Sequence, residues 1–228
     1  RQSCVFLQEV DTKTNTIYLS SIYYSSIDSP AEYRRFAGPV KYSGEVPDIY
    51  TAAMTDDGSV YVALLTGVND ISIYYSKDRG ITFSRVDLPS QSIPLVAPRL
   101  YVTSDGSLRL FATLSKNDSF SLVTSTSKGG DRWTSFEPFS PSVNYQNSFV
   151  PTLAHADGID YVIFQAQYLT GNRFSYQLYE TYSSDYGNTW SEPILITDQS
   201  SIAVTDSRVF TNYQNQHPFL YNHKGTLY

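Results

Sequence analysis

The chain has 228 residues, enough for one all-β domain with a substantial core or for part of a larger one. Its formal charge is −6 without a run of like charges, which excludes a basic nucleic-acid-binding surface. No stretch is apolar enough to span a membrane, and the single cysteine, Cys4, excludes an internal disulfide.

The predicted elements fall into repeated units of about 50 residues, the length of a four-stranded propeller blade. In the first unit we predict strands over 3–10, 16–24 and 36–42, with a connecting loop over 25–35. Asn15 stands where later units have a turn glycine, and asparagine tolerates the same left-handed backbone. This unit lacks the turn motif that the later units carry.

The second, third and fourth units repeat one order: inner strand, Asp-Gly turn, strand, loop, strand, motif turn and outer strand. Asp-Gly between apolar strands is a strong hairpin signal. The strands are predicted over 49–54, 59–65, 71–75 and 84–88; over 99–103, 108–114, 120–124 and 135–139; and over 152–156, 160–166, 174–181 and 192–196. A fifth unit begins at 217–221 and continues over 226–228. The units extend over about 1–44, 45–90, 91–141, 142–198 and 199–228, the last one incomplete.

A turn motif, Ser-x-Asp-x-Gly-x-Thr-aromatic, forms the first motif turn (76–83) and the last motif turn (183–190). A degenerate copy of the motif, the middle motif turn (126–133), has Lys128 where the Asp is expected. The glycine supplies a positive φ, the Asp accepts backbone N–H bonds, and the aromatic ring returns to the core. The motif residues are Ser76, Asp78, Gly80 and Phe83; Gly130 and Trp133; and Ser183, Asp185, Gly187 and Trp190.

These turns resemble the Asp-box (BNR) repeats of sialidase-like β-propellers. The resemblance implies an all-β fold of four-stranded antiparallel blades, with about four repeats and the start of a fifth, as part of a six-bladed propeller. In that superfamily the active site lies at the end of the blades opposite the Asp boxes. Asp78 and Asp185 are therefore expected to be structural.

The sequence ends at Tyr228, inside the expected second strand of the fifth unit. Propellers leave no long sheet edges exposed, so we expect the chain to be part of a larger propeller. The alternative is a compact ring in which the N-terminal strand completes the last unit. The sequence begins at Arg1 without an initiator Met, which favours a mature or excised form.

Candidate functional residues lie on the loops between second and third strands and on the links between units. The longest link is 198–216, and long loops in compact domains are often functional. Glycoside hydrolysis needs two carboxylates about 5–9 Å apart in one pocket. The candidate catalytic residues are Asp48, Asp70, Asp198 and Asp206. The candidate ligand-binding residues are Arg173 and Arg208 for anionic groups and Tyr145 and Tyr213 for stacking on sugar rings.

The sialidase resemblance also implies an Arg two positions before the Pro that opens a blade, as part of a three-arginine clamp on a substrate carboxylate. None of the matching positions is Arg; they hold Glu45, Val96, Phe149 and Gln216. Arg99 follows its Pro and is expected in an inner strand. Because bidentate Arg–carboxylate pairing is not easily replaced, a classical sialidase is disfavoured.

Two hypotheses about function remain open. In the first, the protein is a secreted, periplasmic or cell-surface propeller that recognises or acts on glycans, as a glycoside hydrolase of the sialidase-like superfamily. In the second, it is a non-catalytic propeller that mediates protein–protein interaction. The expected partner is thus a glycan or a protein. No His or Cys set has ligand spacing, so no metal or other cofactor is expected.

Overall fold

A computed structural model describes most of the chain, and every regular element in the described part is a strand except one 3₁₀ helix, Ser140–Ser142. The predicted all-β class is confirmed. In this part of the chain no helix has the length and apolar character needed to cross a membrane. The described residues are 3–24, 32–42, 49–117, 119–145, 147–170, 173–197, 218, 220–223 and 226–228.

The strands form successive antiparallel sheets, in which each strand pairs with its neighbours in sequence. Blade 1 contains β1 (Ser3–Asp11), β2 (Thr16–Tyr24) and β3 (Glu32–Lys41). Blade 2 contains β4 (Tyr50–Met54), β5 (Val60–Leu65), β6 (Ile71–Ser76) and β7 (Ser84–Asp87). Blade 3 contains β8 (Leu95–Val102), β9 (Leu108–Lys116), β10 (Ser119–Ser127) and β11 (Glu137–Pro138). Blade 4 contains β12 (Phe149–Ala156), β13 (Ile159–Thr170), β14 (Arg173–Ser183) and β15 (Ile194–Leu195), and a hairpin of β16 (Asn222–His223) and β17 (Thr226–Leu227) follows.

The inner strands of blades 3 and 4 begin earlier than predicted. β8 begins at Leu95 instead of Arg99, because a β-bulge between Val96 and Arg99 lets pairing continue past Ala97, whose φ is 50°. Blade 4 has the same irregularity, with Val150 at a φ of 48°. A bulge interrupts the alternation of apolar and polar residues along a strand, so the sequence pattern does not assign the residues before the bulge to the strand.

Three predicted loops at the end of the blades opposite the motif turns are shorter in the structure. β9 and β10 leave only 117–118 between them, and β13 and β14 leave only 171–172. In blade 1, β3 begins at Glu32, so part of the predicted loop 25–35 is strand. These extensions are rich in polar residues, which the hydrophobic pattern does not assign to a strand.

The core consists of three apolar clusters, each between two successive blades, as in a propeller. Ile17 and Leu19 of blade 1 pack with Val62 and Leu64 of blade 2. The opposite face of blade 2 packs on blade 3, and the opposite face of blade 3 packs on blade 4 through Phe111, Leu122, Phe139 and Phe164. Both faces of the sheets of blades 2 and 3 are thus covered by neighbouring blades.

Candidate functional site

The first motif turn is cross-linked by its own side chains. Ser76 Oγ accepts a hydrogen bond from the N–H of Gly80 at 2.7 Å. Asp78 Oδ1 accepts from the N–H groups of Ile81 and Thr82 at 3.1 and 2.8 Å, and Thr82 Oγ1 donates to Oδ2 at 2.5 Å. Burial alone would raise the pKa of Asp78, but hydrogen bonds from Ser76 and Thr82 outweigh it and hold the pKa at about 2. The turn therefore uses both oxygens of this carboxylate.

The last motif turn repeats this arrangement. Ser183 Oγ accepts from the N–H of Gly187 at 2.7 Å, and Asp185 Oδ1 accepts from the N–H of Thr189 at 2.8 Å. The Thr189 hydroxyl donates to Asp185 Oδ2 at 2.7 Å. Hydrogen bonds from Thr189 and Ser183 lower the pKa of Asp185. Two blades are thus closed by equivalent carboxylate-centred turns.

The register of the middle motif turn differs from the prediction. Ser127 pairs with the residue that lies two positions after the glycine of the Asp-Gly turn in its blade. Ser76 and Ser183 pair with the equivalent residues of their own blades. Ser127, and not Thr126, is therefore the counterpart of the motif serine. The sequence alignment was one residue out because a Thr and a Ser are adjacent at this point.

The middle motif turn is consequently one residue shorter than the other two. Its Gly130 N–H donates to Ser127 Oγ at 2.8 Å, three residues along the chain instead of four. Counted from the motif glycine, Lys128 stands where the other turns have Asp, as predicted; counted from the motif serine, Gly129 does. Trp133 closes the turn by donating from Nε1 to the carbonyl of Gly130 at 2.9 Å. This turn has no carboxylate at its centre.

A cavity of about 600 Å³, the central cavity, lies between the inner strands β4, β8 and β12 and the residues that lead into β16. Its volume is within the range of small-ligand pockets, about 300–1,000 Å³. Its lining combines apolar and polar residues. The polar lining residues include Thr51, Arg99, Tyr101, Thr152, His155 and Asn222. The inner strands thus surround a space that could hold a ligand.

Arg99 breaks the pattern of this lining. Thr51, Arg99 and Thr152 occupy equivalent positions of β4, β8 and β12, as their pairing with the second strands shows. The Thr51 hydroxyl accepts from the N–H of Leu100 at 3.2 Å, and the Thr152 hydroxyl accepts from the N–H of Leu220 at 3.1 Å. Each threonine thereby ties its inner strand to the next unit along the chain.

An arginine side chain has no acceptor and cannot make such a tie. Arg99 Nη1 donates instead to the carbonyl of Pro98 at 2.9 Å. Tyr101 supplies the link to blade 4, since its hydroxyl donates to the carbonyl of Pro151 at 2.9 Å. Among the described lining residues Arg99 is the one arginine. The sequence placed Arg99 in an inner strand but gave no sign that it lines a cavity.

The structure also places two of the clamp positions. Val96 and Phe149 lie just before the bulges of β8 and β12 and pair with Thr113 and Gln165, respectively. They are therefore equivalent to one another, as the sequence alignment required. The Val96 side chain is 39% exposed. An apolar group thus stands at one clamp position, while Glu45 and Gln216 lie outside the described residues.

The candidate site residues are not brought together in the described part of the chain. Asp70 is exposed, and its carboxylate folds over Gly67. Tyr145 packs against Tyr179 and Phe164, with ring centroids 4.4 and 5.7 Å apart, and is not in the central cavity lining. Arg173 begins β14, but its side chain is outside the described part. Asp48, Asp198, Asp206, Arg208 and Tyr213 lie outside the described residues.

Sequence reasoning missed a buried pair of charges between blades 3 and 4. Arg109 is 6% exposed and Asp160 is fully buried. Asp160 Oδ1 accepts from the N–H of Ser104 at 2.7 Å, and Arg109 Nη2 donates to the carbonyl of Gly187 at 3.1 Å. Burial lowers the pKa of Arg109 and raises that of Asp160, and their mutual attraction opposes both shifts. Charged residues near the start of two otherwise apolar second strands were the available signal.

No group of three or more His, Cys, Asp or Glu side chains that could hold a metal ion occurs among the described residues. No protein-family model and no curated protein matches the sequence. The fold, in contrast, matches several solved structures.

An α-L-arabinofuranosidase of Fusarium graminearum in complex with arabinobiose matches with a TM-score of 0.54 at 15% identity, over 79% of this chain and 59% of that one. The leech intramolecular trans-sialidase complexed with 2,7-anhydro-Neu5Ac gives 0.50 at 16% identity, over 79% and 28%. An endo-1,4-β-xylanase from Bacteroides thetaiotaomicron gives 0.50 at 11% identity, over 99% and 81%.

The chain spans 59% and 64% of the length of two Fusarium arabinofuranosidase structures. Because the identities are this low, the likeness concerns the fold. The chain has the fold of the sialidase-like β-propellers, as the motif turns predicted.

Proposed function

We propose that the protein is a secreted or surface propeller that recognises a neutral, pentose-containing glycan, and that the central cavity receives part of this glycan. The observation that carries the proposal is Arg99. In blades 2 and 4 the equivalent threonines tie inner strands together, whereas blade 3 places a guanidinium at this position of the cavity lining. A guanidinium offers several fixed donors to sugar hydroxyl groups.

A neutral sugar fits better than a sialic acid. Valine and phenylalanine stand at clamp positions 96 and 149, so neither supplies a partner for a substrate carboxylate. Structural neighbours named as arabinofuranosidases and as a xylanase support a pentose-containing ligand. In this proposal the motif turns are Asp boxes with a structural role. The hydrogen bonds that Asp78 and Asp185 accept within their own turns support this role.

Calorimetric titration of the full-length protein with arabinobiose, xylobiose and 3′-sialyllactose tests the proposal. One of the neutral disaccharides should bind, and Arg99→Ala should weaken binding about tenfold, the loss of roughly 1.4 kcal/mol. The matched control is Arg85→Ala, because Arg85 is exposed on the outer strand β7 and pairs with Asp87. Binding of the sialoside alone, or equal effects of both variants, would contradict the proposal.

Hydrolysis is a separate question, and aryl arabinofuranosides and xylosides address it. If the protein is a hydrolase, two of the variants Asp48→Ala, Asp198→Ala and Asp206→Ala should each lower kcat by about 10² or more. The exposed Asp56→Ala is the control. If the wild-type protein binds a glycan but hydrolyses none of these substrates, it is a non-catalytic glycan-binding propeller. If the wild-type protein binds none of these glycans, the hypothesis that the propeller mediates protein–protein interaction is favoured.

A further inference from the structure

A second cavity, the turn cleft, lies at the motif-turn end of blades 3 and 4 and has a volume of about 630 Å³. One wall is the Asp-Gly turn of blade 3, and the floor is the middle motif turn. Tyr186 and Asn188 of the last motif turn form the other wall. The turn cleft and the central cavity share no lining residue. The cleft is therefore a separate place for a ligand.

The shortened middle motif turn accounts for part of this space. In the first motif turn, the Asp78 side chain fills the interior and binds the N–H groups of Ile81 and Thr82. The middle motif turn has no Asp between Ser127 and Gly130, and both Lys128 and Gly129 line the cleft. The middle motif turn thus lacks the central carboxylate of the other two, and Asp131 Oδ1 would lie 3.2 Å from a Cβ added at Gly129.

Charged side chains of both signs line the turn cleft. Asp105 is ionised, because hydrogen bonds from Ser107 and Thr103 outweigh the effect of burial and lower its pKa. The cleft lining thus offers charged hydrogen-bond donors and charged acceptors next to one another. The cations of the lining are Arg109, Lys128 and Arg132, and its carboxylates are Asp105 and Asp131.

Two aromatic residues complete the lining. Tyr186 is 51% exposed at the rim, and Trp133 is half-buried, with its indole N–H directed to Gly130. Aromatic rings pack against the C–H faces of sugars, while carboxylate, guanidinium and amide groups exchange hydrogen bonds with hydroxyl groups. A neutral saccharide presents both kinds of surface and carries no charge.

From this combination of mixed donors and acceptors, aromatic walls and adequate volume, we infer that the turn cleft is a second binding site for a neutral oligosaccharide. Its volume lies within the range of about 300–1,000 Å³ for small-ligand sites. The inference goes beyond the proposed function, because it depends on no residue of the central cavity. A protein with both sites holds one glycan at two ends of the propeller, or two glycans at once.

Tryptophan fluorescence isolates this site, since the chain has two Trp residues and neither lines the central cavity. A Trp190→Phe variant leaves Trp133 as the reporter, and Phe83 shows that phenylalanine suits this motif position. Neutral tetrasaccharides of xylose, arabinose and glucose are titrated into the full-length variant. At least one should change the Trp133 emission. Tyr186→Ala and Arg132→Ala, both at exposed positions, should each weaken this response about fivefold or more.

Arg99→Ala separates the two sites, because it should leave the Trp133 response unchanged even where it abolishes binding in the central cavity. If Trp190→Phe fails to fold, the titration is repeated with the wild type and with Trp133→Phe. The part of the wild-type emission change that is missing in Trp133→Phe then reports on Trp133. The inference is overturned if no neutral tetrasaccharide alters Trp133 emission up to about 10 mM. It is also overturned if only tetragalacturonic acid binds, or if Arg99→Ala removes the response.

Discussion

The ring of Tyr61 in blade 2 lies directly on Gly130 in the middle motif turn of blade 3. A Cβ atom at position 130 would stand 2.1 Å from Cε1 of this ring. Arg109 covers Gly187 of blade 4 in the same way, with its Nη2 at 2.2 Å from a Cβ there. The glycine of a motif turn is thus also a docking point for the second strand of the preceding blade.

Gly130→Ala should therefore destabilise the protein by more than backbone strain alone. Gly130 and Gly106 both have a positive φ, 79° and 82°, so alanine costs about 1–2 kcal/mol at either position. Only Gly130 faces a buried ring, and we expect a further 1–3 kcal/mol or so from overpacking. Urea unfolding of Gly130→Ala and Gly106→Ala measures the difference. Equal losses would show that the Tyr61 contact adds nothing.

Asp78→Ala should lower the free energy of unfolding by about 1–3 kcal/mol, because the N–H groups of Ile81 and Thr82 lose their acceptor. Thermal and urea unfolding measure the loss. Asp56→Ala, at an exposed position of the same blade, should change stability by less than about 0.5 kcal/mol. A similar effect of both variants would mean that the carboxylate does not hold the turn.

Stability should fall in acid through Glu9. Hydrogen bonds from Arg35, Ser20 and Tyr33 hold its pKa at about 2, against an ordinary value of 4.5. The folded state then binds fewer protons than the unfolded state, so this stabilisation is complete above the ordinary pKa and is lost as the pH falls toward 2. The urea midpoint of Glu9→Gln should consequently vary less between about pH 5 and pH 2 than that of the wild type. Glu137→Gln, on the exposed strand β11, should keep the wild-type profile.

Removing one charge of the buried pair should be costly. Asp160→Asn removes the negative charge that attracts the buried Arg109 guanidinium, at an expected cost of about 1–3 kcal/mol. Asp157→Asn, at an exposed turn position of the same blade, should be nearly neutral. Adding Arg109→Met to Asp160→Asn should recover part of the loss, because an apolar side chain needs no partner. A double variant as unstable as the sum of its parts would contradict this coupling.

Local signals predicted the framework of this protein well. The Asp-Gly turns have left-handed glycines at Gly58, Gly106 and Gly158, and the strands that follow them begin within one residue of the predicted positions. Each of these features depends on residues adjacent in sequence. The early start of β8 was not predicted, because the bulge at Ala97 is stabilised by pairing with β9, and not by its own sequence.

The candidate site was less predictable. Asp70 and Tyr145 are on suitable segments, yet one folds over its own turn and the other packs into the apolar cluster of blades 3 and 4. Arg99 was set aside because it did not match the clamp motif, and it proved to line the central cavity. Membership of a loop does not specify the direction of a side chain, since that depends on the neighbouring blade.

The sequence by itself determined the repeat, the motif turns and the all-β propeller fold, because these follow from periodicity and from turn chemistry within about eight residues. The tertiary structure alone decided which residues meet between blades. These interactions join residues about 50 or more positions apart. They include the contact of Tyr61 with Gly130, the attraction between Arg109 and Asp160, and the hydrogen bonds that Thr51 and Thr152 accept from the next unit. Such contacts arise when consecutive sheets pack, and the packing brings together side chains that no local pattern relates.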